Sequence, residues 1–275
     1  MASASPASDD APAPDPVSSP APGSVLTLTV LGTGSPHPRP GRPCSGYLLR
    51  GGGAEVWVDA GPGTFAELQR HTDPARLDAI WISHLHADHC ADLLPAMYGL
   101  AYGGLAPAAP LPVYAPPELG PRLAGFFGQR DPGFLSGVFD LRPLYDGHES
   151  RVGGLVLDTR AVVHDTEAYG LRAECGGSVL AYSGDSGPCP ALVELATGAD
   201  LFLCEADVDR HRESERPVHL TPEDAGAVAE EAGVGELLVT HVGPTLTRES
   251  ATGRAAAVFV GGRTSTAREG ETRTV

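Results

Sequence analysis

The chain has 275 residues, of which 41% are hydrophobic, and a chain of this size can enclose one large core, so we expect one domain. Its 35 acidic residues outnumber 19 basic residues, all of them arginine, and give a formal charge of -16. Affinity for nucleic acid comes largely from basic side chains that neutralise phosphates. The acidic balance therefore argues against a long polyanion as the partner.

Residues 1–24 are rich in Ala, Pro, Ser and Asp and offer almost nothing to bury, so we expect a disordered tail followed by a domain over 25–275. This tail lacks the basic and apolar regions of a secretory signal, and no stretch of the sequence reaches the length of a membrane span. The five cysteines lack CxxC spacing and are typical of free thiols in a reducing compartment. These features predict a cytoplasmic protein without a membrane partner.

Apolar alternation and turn residues predict a series of strands and helices in chain order. Alternation from Val25 predicts the first strand, and the glycines after it predict a turn. Further strands are predicted at 45–50, 55–61, 77–84, 111–116, 155–164, 177–185, 200–206 and 236–241, and helices at 63–71, 91–100, 117–127 and 222–233. Strands that come in groups before helices favour a layered α/β architecture.

Several predicted strands end in a residue that can bind a metal ion. A single aspartate at a strand end is usually a turn former, and a single histidine is usually a hydrogen-bonded polar residue. Five such residues at the ends of five strands indicate a functional site, which the loops at one edge of the sheets would hold. These residues are Asp59, His84, His164, Asp185 and His241.

The stretch "HLHADH" adds a dense cluster of possible ligands. His84 and His86 project to the same side if the backbone is extended, because side chains alternate along a strand. A helix that begins near Asp88 would turn Asp88 and His89 toward a neighbouring ion. Imidazole and carboxylate without thiolate favour zinc, with manganese and iron as alternatives. The cluster therefore predicts two adjacent metal sites, an arrangement typical of hydrolases.

The pattern His-x-His-x-Asp-His, which His84, His86, Asp88 and His89 form, resembles the signature of the metallo-β-lactamase superfamily of hydrolases. The segments "VDAGPG", "VVHDTEAYGLR", "AYSGDS" and "VTHVGP" resemble further motifs of that family. The resemblance implies a four-layer αβ/βα sandwich with two divalent metal ions. By the family's assignment, the first ion is held by His84, His86 and His164, the second by Asp88, His89 and His241, Asp185 bridges the two, and Asp59 supports the ligands.

Within the superfamily, the sequence is most similar to the ribonuclease Z-like branch, through "LGTGSPHPRPGRPCSGYLL", "AYGLR" and "HLTPEDAGAVAEEAGVGELLVTH". A histidine loop in that branch supplies a general acid, and His219 occupies its place. Thr221, Pro222 and Asp224 suit the cap and first turn of the following helix, which leaves His219 in the loop. The alternative is that His219 is an ordinary histidine of a surface loop.

Ribonuclease Z carries a long arm for tRNA between the ligands that correspond to His164 and Asp185. Here only 165–184 separates them, which is enough for a hairpin. Together with the acidic charge, this short segment argues against tRNA as the substrate. Related hydrolases often form homodimers, so a homodimer stays open.

Two divalent cations outweigh the charges of Asp88, Asp185 and a bridging hydroxide, so the centre is expected to be positive. The favoured hypothesis is hydrolysis of a phosphodiester or related small anionic ester by the bridging hydroxide, with His219 as general acid. Asp59, Asp88 and His219 are then the catalytic residues. One alternative is a carbonyl hydrolase of the same fold, such as a lactonase, a thioesterase or a β-lactamase. The other is a non-catalytic metal-binding member.

Overall fold

A computed structural model describes residues 25–105 and 107–275. The predicted tail at 1–24 lies outside the described residues. The strands of the described residues are numbered in chain order: β1 Thr27–Gly32, β2 Gly46–Gly51, β3 Ala54–Val58, β4 Ala79–Trp81, β5 Leu111–Ala115, β6 Phe139–Pro143, β7 Glu149–Val152, β8 Leu155–Ala161, β9 Tyr169–Cys175, β10 Ser178–Tyr182, β11 Leu201–Ala206, β12 Glu236–Val242, β13 Arg263–Thr266 and β14 Thr272–Thr274.

The strands form two seven-stranded mixed sheets. The first has the order β14-β1-β2-β3-β4-β5-β6 and the second β13-β12-β11-β10-β9-β8-β7. In the first sheet, the pairs from β14 to β3 are antiparallel and those from β3 to β6 are parallel. In the second, the pairs from β7 to β10 are antiparallel and those from β10 to β13 are parallel. Parallel neighbours end at the same edge of a sheet, so the loops after them lie close together.

Helices cover the outer face of each sheet. The helices are α1 Thr64–Leu68, α2 Ala87–Cys90, α3 Leu93–Tyr102, α4 Leu119–Phe126, α5 Pro190–Ala196, α6 Pro222–Ala232 and α7 Arg248–Val258. Helices α1 to α4 contribute to the core on the first sheet, and α5 to α7 to the core on the second. A third core lies between the sheets. The expected four-layer αβ/βα sandwich is therefore confirmed.

Alternation along the strands assigns side chains to these cores. In β3, Val56 and Val58 pack between the sheets, whereas Trp57 packs under the helices. In β12, Leu238 faces the other sheet, whereas Leu237 and Val239 face α5 to α7. Successive side chains of a strand point to opposite faces, so strands that are buried on both faces are apolar throughout.

The predicted hairpin between His164 and Asp185 is confirmed. Strands β9 and β10 pair antiparallel from Tyr182 opposite Leu171 to Ser178 opposite Cys175. Gly176 and Gly177, both with positive φ, form the turn. No long arm interrupts this connection.

In the described part of the chain, no helix combines the length and the apolar character that a membrane span requires.

The helix-covered core of the second sheet predicts a large energetic cost for truncating Phe202, which is fully buried in β11. We expect Phe202→Ala to lower the free energy of unfolding by about 3–5 kcal/mol, because it removes buried apolar area and leaves a cavity. Val260→Ala is the control, since Val260 is 77% exposed, and we expect a change within about 0.5 kcal/mol. Denaturant unfolding measures both, and equal losses would contradict this packing.

Candidate metal centre

Three histidines from separate parts of the chain meet at the end of the sandwich. His84 Nε2 and His164 Nε2 each lie 3.2 Å from His86 Nδ1. His84 follows β4 and His164 follows β8, and an isolated bridge between His84 and Ala168 joins the two sheets here. The structure thus brings together the three residues expected to hold the first ion.

The second predicted group lies beside the first, with Asp185 between them. Asp185 Oδ1 lies 3.3 Å from His89 Nε2, and Asp185 Oδ2 lies 3.3 Å from His241 Nε2 and 3.7 Å from His84 Nε2. Asp88 Oδ2 lies 3.9 Å from both His89 Nε2 and His241 Nε2. Asp185 therefore contacts residues of both groups, as a bridging ligand requires.

Local backbone structure aims these side chains. Asp59 and His241 are the non-glycine residues with positive φ in the described chain, at 55° and 46°. His241 is the extra residue where the pairing of β11 with β12 shifts, between Glu205 opposite Thr240 and Ala206 opposite Val242. Such a bulge reorients a side chain, and left-handed backbone at non-glycine residues is typical of functional sites.

Asp59 is fully buried, and its carboxylate accepts hydrogen bonds from four donors. Its Oδ2 accepts hydrogen bonds from His89 Nδ1 at 2.7 Å, Ser83 Oγ at 2.8 Å and Tyr182 Oη at 2.7 Å. Its Oδ1 accepts from Ser83 N at 2.7 Å. Asp59 thus lies behind His89 and orients it, as the predicted supporting role requires.

The other ligand histidines are also held from behind. His164 Nδ1 donates to Val218 O at 2.8 Å, and Ser45 Oγ lies 2.8 Å from His241 Nδ1. Ser83 Oγ gives its only proton to Asp59, so at 3.0 Å it accepts from His84 Nδ1. His84 and His164 thus carry the ring proton on Nδ1, which leaves a lone pair on Nε2 of each for a metal ion.

The residues present fit a divalent metal centre. His89 Nε2 and Asp185 Oδ1 are buried and lie 3.3 Å apart, but among the described residues neither atom has a partner in hydrogen-bond geometry. Burying such atoms unpaired is costly, and a cation would satisfy both. The four metal-capable groups found in the described chain, each with ligand atoms within 4.8 Å of one another, contain histidine and aspartate but no cysteine. This donor set suits a divalent ion that exchanges ligands with a substrate.

The electrostatics of the centre favour a cation. Burial and the neighbouring His89 lower the pKa of His84 well below its usual value, so His84 is neutral, the form that binds metal. Burial opposes a charge on His89 too, but Asp185 and Asp59 raise the pKa of His89 well above its usual value. The site thus favours positive charge at His89 Nε2, where a proton or a metal ion can supply it.

His219 lies at the rim of the centre, paired with Glu205, which no motif of the sequence predicted. His219 Nδ1 lies 2.9 Å from Glu205 Oε1 and 3.9 Å from Asp185 Oδ2. Burial opposes protonation of His219, but the hydrogen bond and charge of Glu205 raise the pKa of His219 to about 10. Glu205 is fully buried and also accepts from the backbone N–H groups of Ser186, Asp207 and Leu220.

The helix after His219 begins as predicted. Thr221 Oγ1 accepts from Asp224 N, and Asp224 Oδ2 accepts from Thr221 N, with Pro222 at the first helical position. This reciprocal cap is confirmed, and it fixes the loop that carries His219. A cavity of about 570 Å³ opens beside His219, lined mainly by the loop from Asp207 to His219.

A family model described as a beta-lactamase superfamily domain matches residues 54–242, a span that contains every metal-capable residue described above. The chain belongs to the beta-lactamase superfamily, as its motifs predicted. In the same superfamily, the chain is 33% identical over 249 residues to the ribonuclease Z of Mycobacterium marinum, across 81% of this chain and 88% of that protein. The resemblance to ribonuclease Z is therefore confirmed.

Two further similarities extend over most of the chain. It is 40% identical over 247 residues to an uncharacterized protein of Mycobacterium tuberculosis, across 87% of this chain and 89% of that protein. The crystal structure of the metallo-beta-lactamase fold protein YhfI from Bacillus subtilis matches with a TM-score of 0.80 and 24% identity. That match covers 92% of this chain and 100% of YhfI, and it supports the fold.

The position of Asp59 behind His89 predicts weaker metal binding in Asp59→Asn. The substitution keeps the shape of the side chain but removes its charge, and we expect metal affinity to fall about 10–100-fold. Competition with a chelator, followed by elemental analysis, measures this affinity. Asp140→Asn is the matched control, because Asp140 is exposed and pairs with Arg142 away from the centre. Equal affinities in the two variants would contradict the supporting role.

Proposed function

We propose that the protein is a metal-dependent hydrolase of small phosphodiesters or related anionic esters. The observation that carries this proposal is the Glu205–His219 pair beside Asp185, because it adds a proton donor to the rim of a histidine and aspartate centre. The similarity to ribonuclease Z supports phosphate ester chemistry.

We assign one ion to His84, His86 and His164 and a second to Asp88, His89 and His241, with Asp185 contacting both. Zinc is favoured by the ligand types, with manganese or iron as alternatives. When bound, the ions supply Lewis acidity and a water-derived nucleophile at neutral pH.

His219 supplies the proton that the leaving alkoxide needs. Its Nδ1 is held by Glu205 at 2.9 Å, so Nε2–H is the proton available to a substrate. The buried carboxylate of Glu205 stabilises the imidazolium form before the transfer and orients the ring. Asp59 acts through His89 and Ser83, and its role is to position ligands.

Three features of the chain favour a small ester as the substrate: a short hairpin, a small cavity and an acidic charge. The connection from His164 to Asp185 is the short β9–β10 hairpin, and the cavity beside His219, of about 570 Å³, accommodates a small molecule. A long nucleic acid is held through about 6–10 phosphate contacts with basic side chains. This chain instead carries a formal charge of -16.

Removal of metal tests the reaction class. We expect hydrolysis of bis(p-nitrophenyl) phosphate to stop after dialysis against EDTA and to return with Zn²⁺ or Mn²⁺, because the centre then regains its cation. Asp185→Asn should remain inactive after the same treatment. A simple lactone and nitrocefin are assayed in parallel. A preference for either would assign the protein to carbonyl chemistry, and stable metal binding without turnover of any ester would contradict an enzymatic role.

The leaving group tests His219. We expect His219→Ala to reduce kcat by about 10²–10⁴-fold for a diester with an alkyl leaving group, which requires protonation. A p-nitrophenyl ester should be affected much less, because p-nitrophenolate leaves without a proton. His71→Ala is the control, since His71 pairs with Glu67 on another surface. Equal losses for both esters would rule out the general-acid role.

A further inference from the structure

A second cavity, of about 310 Å³, has a wall that contains four arginines. Arg39 and Arg42 come from the loop after β1, Arg248 from the first turn of α7, and Arg268 from the segment after β13. Segments far apart in sequence thus bring four arginines to one concave surface, in a chain whose formal charge is -16. We call this feature the arginine cavity.

The arginine cavity is not neutralised by its own carboxylates. Glu269 pairs with Arg248 at 2.6 Å, and Glu249 also belongs to the wall. Among the described residues, no carboxylate oxygen lies within 4.0 Å of a side-chain nitrogen of Arg39, Arg42 or Arg268. Arginine stays protonated at physiological pH, so the cavity keeps a surplus of positive charge.

Burial makes this surplus costly in the absence of an anion. Arg39 and Arg42 are half-buried and the side chain of Arg248 is 13% exposed, whereas Arg268 is exposed. Like charges that share a partly desolvated surface repel each other, and an anion removes that repulsion. The start of α7, capped by Thr247, lies on the same wall and adds the positive end of an eleven-residue helix.

The arginine cavity shares its framework with the metal centre. Val242 of its wall directly follows His241, and the loop that carries Arg39 and Arg42 continues to Ser45, which contacts His241 Nδ1. Ser35 of that loop donates to Asp207, whose Oδ1 lies 3.9 Å from His241 Nε2. A group bound in the cavity is therefore held by the same loop and strand that position a proposed metal ligand.

We propose that the arginine cavity binds a phosphate-type anion. Planar guanidinium groups match the oxygens of phosphate in paired hydrogen bonds, and several of them here converge on one space. The anion is either a second phosphate on the substrate, remote from the bond that is cleaved, or free phosphate. The first source rests on the proposed function, whereas the second does not.

Titration of the purified protein with sodium phosphate, followed by calorimetry, tests the cavity directly. We expect binding to weaken by about tenfold or more in the double variant Arg42→Ala/Arg268→Ala, because two unpaired guanidiniums are lost. Arg130→Ala is the matched control, since Arg130 is exposed, has no carboxylate partner among the described residues and lies outside the cavity wall. Binding that is equal in the double variant and the control would overturn the proposal.

A pair of esters then identifies the source of the anion. Thymidine 5′-(p-nitrophenyl phosphate) and the same ester with a 3′-phosphate differ in one phosphate only. If the remote phosphate occupies the cavity, it should raise kcat/KM by about tenfold in the wild type and in Arg130→Ala, and this advantage should disappear in the double variant. If the double variant binds phosphate more weakly but the 3′-phosphate does not raise kcat/KM, the cavity binds free phosphate. If neither ester is hydrolysed, the proposed function is wrong. The calorimetric titration still tests whether the arginine cavity binds phosphate.

Discussion

The buried carboxylate of Asp59 is the interaction on which the centre depends. It accepts hydrogen bonds from Ser83 in the loop after β4 of the first sheet, Tyr182 of β10 in the second sheet and His89 of α2, and it has no exposed surface. A buried charge is tolerated only when its lone pairs are satisfied, so these donors must hold their positions. The same contacts join both sheets and set the orientation of His89. The side chain of Asp59 therefore contributes both to the packing of the two sheets and to the position of His89.

A second buried carboxylate organises the opposite side of the centre. Glu205 connects β11 to the loop before α6 through the N–H groups of Asp207 and Leu220, and it contacts His219. Asp59 acts behind a proposed ligand, whereas Glu205 acts behind the proposed proton donor. Each carboxylate contacts a residue of the proposed site, Asp59 the ligand His89 and Glu205 the proton donor His219. It thereby controls the charge and orientation of that residue without contacting the substrate.

The distribution of charge links the metal centre to the arginine cavity. The chain is strongly acidic overall, yet its positive features lie on adjoining parts of one framework, the loop after β1 and the end of β12. An acidic surface discourages large polyanions, and a local positive surface attracts small ones. This combination is suited to a small ester with more than one anionic group, which is the substrate class that joins the two proposals.

The sequence by itself determined the features that depend on neighbouring residues: the buried strands, the cap formed by Thr221 and Asp224, and the ligand-type residues at strand ends. It did not identify the edge strands β6, β7, β13 and β14, because short edge strands are polar and lack the alternation of buried strands. Only the tertiary structure decided that Glu205 contacts His219, that Ser45 contacts His241 and that Arg42 and Arg268 line one cavity. These partners are far apart in the chain, and their contacts follow from how the two sheets pack, which no local pattern encodes.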